Sequence, residues 1–323
     1  MSTALVTGGS GFIGGALISR LVRDGHTVRA LARSDSSAAK VAGLGAEPVR
    51  GELSDVAALT RACDGAELAF HAAAWTDPGG SWADFTHTNV DGTRNVLAAA
   101  RKAGVRRLVH VGTEAALMAG APLVDVDETA PLRPDSKAPY PATKAAAEEL
   151  VRAATGLETV VVRPRFVWGV GDTSVLPFLV TAVRSGKFAW IGGGTHLTDT
   201  THVDNTVEGL VLAAERGRPG EAYFVTDATP VVFRDFLTEL LETQGVTAPR
   251  RSVPLGVAKA MAEVGERAWT LLRRPGPPPL DRFVVWASGQ QCTINIAKAR
   301  TELGYQPVRT RDEGLTQLRD EGQ

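Results

Sequence analysis

Cysteine is nearly absent: 323 residues carry only Cys63 and Cys292. The two stand far apart and outside any C-x-x-C, which excludes a disulfide framework or thiolate zinc site and fits a reducing compartment. Histidine is also sparse. His26, His71, His87, His110, His196 and His202 include no i,i+4 pair, so there is no zinc-binding helix. Charge of one sign is lacking too: the formal net charge is −1 and no basic run occurs, so nucleic acid and anionic membranes are not expected partners. No uncharged apolar run reaches the ~18 residues of a membrane span. The most apolar helical stretch, Val253 to Leu272, is interrupted by Lys259, Glu263, Glu266 and Arg267, and is expected to pack as a soluble helix. Strand-like sequence from Thr3 leaves no room for a secretory signal, so a soluble cytoplasmic protein is expected.

What is present begins with Thr3-Ala4-Leu5-Val6-Thr7, a short apolar run that enters Gly8-Gly9-Ser10-Gly11-Phe12-Ile13-Gly14. Ala16, Leu17, Leu21 and Val22 then keep a helical period, giving strand, glycine turn and helix. Gly8, Gly11 and Gly14 would let the backbone approach a pyrophosphate lying on the helix N-terminus beside Phe12 and Ile13. Alone, a glycine pattern marks only a tight turn. At the first strand-to-helix turn of a βαβ unit it predicts dinucleotide binding.

The second strand, His26 to Ala32, should end beside the adenosine ribose. An acid there suits NAD, whereas Arg33, with Lys40 a turn or two further, suits a 2′-phosphate; NADP(H) is expected, with NAD(H) as the alternative. The bland reading is a solvated arginine, with Asp35 pairing the ribose hydroxyls.

Apolar runs keep alternating with helical stretches: Pro48-Val49-Arg50, a helix from Asp55 to Cys63, and Glu67 to Phe70 leading into His71-Ala72-Ala73-Ala74. That order predicts an α/β, Rossmann-type doubly wound parallel sheet with ligands beyond the strands' carboxyl ends. His71 and the small Ala72 and Ala73 fall at one such end. Asn89 opens a stretch that runs helically to Lys102, where its plain role is a cap. Arg107 to Val111 ends at Gly112-Thr113-Glu114, placing the Thr113 hydroxyl at the sheet edge, where it can hydrogen-bond a substrate carbonyl; its plain role is that of a turn residue.

The chemistry is expected at Tyr140-Pro141-Ala142-Thr143-Lys144. Pro141 suits a first helical position, and i,i+4 spacing on that helix would set the Lys144 ammonium beside the Tyr140 ring and lower its pKa. With three tyrosines and seven lysines in the chain, the spacing arises by chance about 6 times in 100, so context decides. A strand follows at Glu158 to Pro164. Past Arg165 come a helix from Asp172 to Arg184, a mobile glycine turn at Gly192-Gly193-Gly194, a helix from Val203 to Glu215, a strand at Ala222 to Val225, and mainly helix from Val231 with a Pro275–Pro279 hinge. This predicts a nucleotide domain of residues 1–165 plus 203–230, and a smaller, mainly helical substrate lobe of 166–202 plus 231–323.

These motifs together resemble the extended short-chain dehydrogenase/reductases (the NAD-dependent epimerase/dehydratase superfamily) over nearly the whole chain. Arg163 to Asp172 and Ile294 to Tyr305 are similar to the 3β-hydroxysteroid dehydrogenase branch, and Val28 to Arg33 with Lys40 to the NADPH-using dihydroflavonol reductases. The resemblance implies Thr113 as holder of the substrate oxygen, Tyr140 as proton donor, and Lys144 as its electrostatic partner and a ribose ligand. It further implies Asn89 as a shaper of the site, and Glu52 with Leu53, Ala72, Ala73 and Arg163 beside the cofactor. Glu52 stands where the family often has Asp.

The resemblance also implies an oxidoreductase and a homodimer, through the helices starting near Asn89 and Pro141. Hydride would pass between nicotinamide and a ketone or secondary alcohol. Trp168, Phe178, Phe188, Trp190, Trp269 and Trp286 suggest a hydrophobic substrate, if they are not simply the lobe's core. The rivals are a nucleotide-sugar epimerase or dehydratase and a non-catalytic NADP(H)-binding regulator. The first tends to carry a diphosphate-clamping arginine where Thr198 stands here; Arg274 superficially matches its second arginine.

Overall fold

The computed structural model describes residues 2–272, 278 and 280–321; the expected hinge at Pro275–Pro279 and Arg274 lie mostly or wholly outside them. Strand β1 (Thr3–Thr7) is central, and its Ala4, Leu5 and Val6 are fully buried, which is why it reads as an unbroken apolar run. Helix α1 (Phe12–Arg23) turns Leu17, Ile18 and Leu21 inward. Strand β2 (Thr27–Ala32), helix α2 (Asp35–Gly43), strand β3 (Glu47–Arg50), helix α3 (Val56–Cys63) and strand β4 (Leu68–His71) complete the first half. Ser34 caps α2 and Asp55 caps α3, each accepting from a first-turn backbone N–H.

Next come helix α4 (Trp82–Phe85), a π-turn over Thr86–Asp91 and helix α5 (Gly92–Lys102). Asn89 therefore does not cap a helix as expected; it sits inside the π-turn, and its side chain is used elsewhere. Strands β5 (Arg107–Val111) and β6 (Leu123–Val126), helix α6 (Pro139–Arg152) and strand β7 (Glu158–Pro164) follow. The first position of α6 is Pro139, not Pro141, because Ala138 is the last residue with extended backbone.

Beyond β7 lie strand β8 (Val167–Trp168), helix α7 (Val175–Arg184), and strands β9 (Trp190–Ile191), β10 (Leu197–Thr198) and β11 (Thr201–His202). Asp172 precedes α7 instead of opening it, and its carboxylate accepts from the N–H groups of Val175 and Leu176. The Gly192–Gly194 turn is pinned by Ser252 Oγ, which accepts from Gly193 N. Helix α8 (Val203–Arg216), strands β12 (Ala222–Val225) and β13 (Val231–Val232), helix α9 (Phe233–Glu242), strand β14 (Ser252–Val253), helices α10 (Leu255–Leu271) and α11 (Arg282–Gly289), strand β15 (Cys292–Ile294) and helix α12 (Arg311–Glu321) finish the fold.

The main sheet is parallel in the order β3-β2-β1-β4-β5-β7-β12, the expected doubly wound architecture. Strand order reverses between β1 and β4, and that switch point is where such sheets open a crevice. A second sheet runs β13-β10-β15-β6. Here β6 pairs with β15, and Ile294, Ile296, Leu303 and Tyr305 pack into the same core as β1. The division at 231–323 is therefore not clean: residues 292–305 cover the nucleotide domain, because their apolar side chains have no other face to bury against.

Trp168, Trp190, Phe233 and Phe236 form the core of the second lobe, with Phe188 packed on them. Those tryptophans do not line a substrate surface, and Phe178 faces solvent. Helix α10 packs on α11 through Ala258 and Ala262, while Val257, Met261, Val264 and Leu271 stay exposed. No helix among the described residues is long and apolar enough to cross a membrane.

Candidate active site

At the switch point the turn after β1 touches the turn after β4. Gly8 has a φ of +73°, and a Cβ built on it would lie 2.6 Å from Ala73 N. A Cβ on Gly14 would lie 2.2 Å from Gly8 O, so both positions demand glycine. Gly11 precedes α1 without a side-chain cap, and no acid stands in the first turn with Phe12 and Ile13. This leaves backbone N–H groups for an anion, and the cradle fits a dinucleotide pyrophosphate. Ala72 and Ala73 form its other wall. Arg33 and Lys40 are exposed at the end of β2 and on α2; among the described residues neither is in an ion pair, whereas Asp35 faces Arg50 at 3.3 Å. Glu52 is exposed. Leu53 packs on Gly92, and its carbonyl accepts from Asn95 Nδ2.

His71 is a strut. Fully buried, its Nδ1 lies 2.7 Å from Thr7 Oγ1 and its Nε2 2.9 Å from Thr93 Oγ1, tying β1, β4 and α5 together. Burial, helped by the Lys144 charge, pushes its pKa down to about 3, so it stays neutral. Among the described residues no His/Cys/Asp/Glu cluster could hold a metal ion.

Asn89 is buried and stitches loop to helix. Its Oδ1 accepts from Trp75 N at 2.7 Å, and its Nδ2 donates to Trp75 O at 3.3 Å and Thr143 Oγ1 at 3.1 Å. Thr143 in turn donates to Pro139 O at 2.7 Å, which fixes the first turn of α6.

Tyr140 and Lys144 stand one turn apart on α6, yet the expected electrostatic partnership is absent: Lys144 is not among the charges that act on the phenol. Lys144 Nζ donates to Val111 O at 2.7 Å and lies 3.4 Å from His110 Nε2. Burial lowers Lys144 to about 8 against the opposing charge of Glu148. The Tyr140 phenol is pushed up, not down, because burial and the Glu114 carboxylate outweigh its hydrogen bond to Thr113. It is therefore an acid at neutral pH. Its ring packs against Phe85 and Phe283, with centroids 6.4 and 5.2 Å away.

Arg163 does not reach the crevice. Its side chain is wholly buried, ion-paired with Glu148 and stacked 5.0 Å over the Phe224 ring. Strand β7 lies inside the sheet, so a guanidinium there must find its partner in the core. Sequence reasoning also missed Glu114 and Arg165. Thr113 Oγ1 donates to Glu114 Oε2 at 2.8 Å, and Arg165 Nη1 donates to Glu114 Oε1 at 2.7 Å. An acid at the end of a buried strand was the available signal; the partner, 51 residues on, was not readable.

A glycine cradle at the switch point and a protonated tyrosine beside a threonine hydroxyl define an NAD(P)-dependent oxidoreductase acting on CH–OH or C=O groups. The chain belongs to the 3-beta hydroxysteroid dehydrogenase/isomerase family, whose model matches residues 5–255. It is 50% identical over 319 residues to the 4-hydroxy-2-methyl-3-oxo-4-farnesyl-3,4-dihydroquinoline-1-oxide ketoreductase of Stigmatella aurantiaca, covering 98% of this chain and 96% of that protein. It is 38% identical to the 2-alkyl-3-oxoalkanoate reductase of Stenotrophomonas maltophilia, covering 98% of both. Among solved structures it is similar to a double mutant of the dTDP-glucose 4,6-dehydratase DesIV from Streptomyces venezuelae with NAD bound: TM-score 0.77, 25% identity, 98% of this chain and 95% of that one.

Proposed function

We propose that this chain is an NADPH-dependent ketoreductase for a bulky hydrophobic ketone. The observation that carries the reading is the Tyr140 phenol, kept protonated beside the Thr113 hydroxyl and walled by Phe85 and Phe283. The two reductase relatives, matched end to end, support the same direction. A bound nicotinamide would supply hydride to the carbonyl carbon. As the carbonyl bond opens, Tyr140 gives its proton to the oxygen and becomes phenolate, while Thr113 holds that oxygen. Gly8, Gly11, Gly14, Ala72 and Ala73 would hold the pyrophosphate and ring, and Lys144 would hold the ribose. A nucleotide-sugar enzyme is less well supported: Thr198, at the clamp position, is buried and ties back to the Asp199 carbonyl.

Arg33 would pair the 2′-phosphate. Arg33→Ser is expected to weaken NADPH at least about tenfold while leaving NADH unchanged, measured by fluorescence titration of both. Equal loss for both cofactors would remove Arg33 from that role. Lys144 holds its proton below about pH 8, so NADPH affinity is expected to fall as pH rises through that value; a titration from pH 6 to 10 checks it.

The function itself is tested by following NADPH oxidation with a polycyclic ketone and with ethyl α-methylacetoacetate. Turnover of neither, with tight specific binding of a UDP-sugar, would overturn the reading. Two buried, unpaired cysteines fit a cytoplasmic location. A homodimer through α5 and α6 is what the family resemblance implies, and sedimentation would test it; eight of the fourteen residues of α6 are already buried within one chain.

A further inference from the structure

His110 stands between two valines near the end of β5, 1% exposed, and carbonyl reduction itself makes no use of it. Burial, helped by the Lys144 charge, holds its pKa well below the usual histidine range. The imidazole is therefore neutral, with one nitrogen bare and one carrying a hydrogen. Its neighbours fix which is which. Nε2 lies 3.4 Å from Lys144 Nζ, and an ammonium has only hydrogens to offer, so Nε2 is the acceptor and Nδ1 carries the hydrogen. Among the described residues that buried Nδ1 has no hydrogen-bond partner. An orphaned N–H in the interior calls for an explanation. Here the ring leaves one nitrogen unmatched and presents its lone pair to Lys144 with the other.

Lys144 has three N–H groups and is itself buried. One donates to Val111 O at 2.7 Å and a second faces His110 Nε2, so both acceptors come from neighbouring residues of β5. Two fixed acceptors stop the ammonium from turning about its Cε–Nζ bond and give the third N–H a single direction. The other titratable or charged groups around it are Tyr140 and Glu148 on its own helix, His71 on β4, and Arg163 on β7 behind Glu148. Among the described residues none of these accepts a hydrogen bond from the ammonium.

We propose that His110 is a positioning residue for Lys144: its bare Nε2, together with the Val111 carbonyl, anchors the ammonium on β5 and leaves the third N–H for the ribose of the cofactor. The proposal rests on the reading of Lys144 as a ribose ligand.

Losing an acceptor disfavours the ammonium. The Lys144 midpoint, about 8 in the parent, is therefore expected to fall by about one pH unit in His110→Phe. NMR of lysine labelled at Cε, with Lys144→Met subtracted, follows this group with no cofactor present. His110→Gln puts an amide oxygen where Nε2 stands and should bring the midpoint back close to that of the parent. NADPH affinity should keep the same order: at about pH 8 His110→Phe binds about fivefold more weakly, and near about pH 6 the two proteins bind alike. If His110→Phe does not fold, His110→Leu removes the same acceptor without the larger ring. Long-range nitrogen–proton NMR spectra of the parent need no variant: with Lys144 charged, Nδ1 of His110 should carry the hydrogen and Nε2 none.

A hydrogen on Nε2 while Lys144 is charged would overturn the proposal. So would a folded His110→Phe whose Lys144 midpoint has not moved, including one that loses NADPH affinity equally at every pH, which is what a merely structural role predicts. The two levels separate cleanly. If the midpoint moves but NADPH affinity ignores the charge on Lys144 in parent and variant alike, the ribose reading fails; if affinity follows that charge in the parent while the variant's midpoint stays put, only the role of His110 fails.

Discussion

Replacing Tyr140 by phenylalanine is expected to lower kcat for ketone reduction by about 10²–10⁴-fold, with NADPH affinity unchanged. The substitution deletes one oxygen and keeps the ring between Phe85 and Phe283, so the apolar wall survives. What disappears is the proton that must reach the substrate oxygen as hydride reaches carbon. Because burial and Glu114 hold the phenol protonated, the parent at saturating NADPH should reduce ketones steadily across neutral pH and lose kcat only far into the alkaline range. Stopped-flow and steady-state assays over that range check both statements. Unchanged turnover in the variant would remove Tyr140 from the chemistry, whereas NADPH binding without turnover in parent and variant alike would favour a non-catalytic cofactor-binding protein.

Glu148→Gln is expected to cost about 3–5 kcal/mol, because it leaves the Arg163 guanidinium charged and unpaired in a fully buried place. Arg163 Nε donates to Glu148 Oε2 at 3.0 Å and its cation lies over Phe224, so this pair joins α6 to β7 and β12. The double variant Glu148→Leu/Arg163→Met should recover most of the loss, as apolar replacements of buried pairs generally do. Chemical denaturation measures the first effect, and NADPH titration of the folded double variant measures a second. If Arg163 held the cofactor, as the family pattern suggested, affinity would collapse in that variant; titrated at acidic pH, where Lys144 keeps its proton without the Glu148 charge, the buried geometry leads us to expect no change.

These two residues show what was legible in the chain. The glycine turn, the alternation of strand and helix, and the Tyr140/Lys144 spacing are local patterns, and local patterns survive as words in the sequence. Pairings are different. Arg163 with Glu148, Arg165 with Glu114, and Phe283 over Tyr140 depend on which faces a folded sheet presents to which helix, and no spacing encodes that. The sign of the Tyr140 shift was misjudged for the same reason. Lys144 shares the helix face, but it hydrogen-bonds the Val111 carbonyl, while the charge that does act on the phenol comes from Glu114. Trp168 and Trp190 were equally ambiguous as sequence, since large aromatic side chains suit both a ligand pocket and a lobe's interior; complete burial assigns them to the interior.

The pairing of β6 with β15 has a consequence for biogenesis. During synthesis Leu123–Val126 leaves the ribosome well before Cys292–Ile294, its hydrogen-bonding neighbour. Until then one border of a sheet has nothing to bond with, and the nascent chain carries a sticky margin that chaperones would be called on to shield.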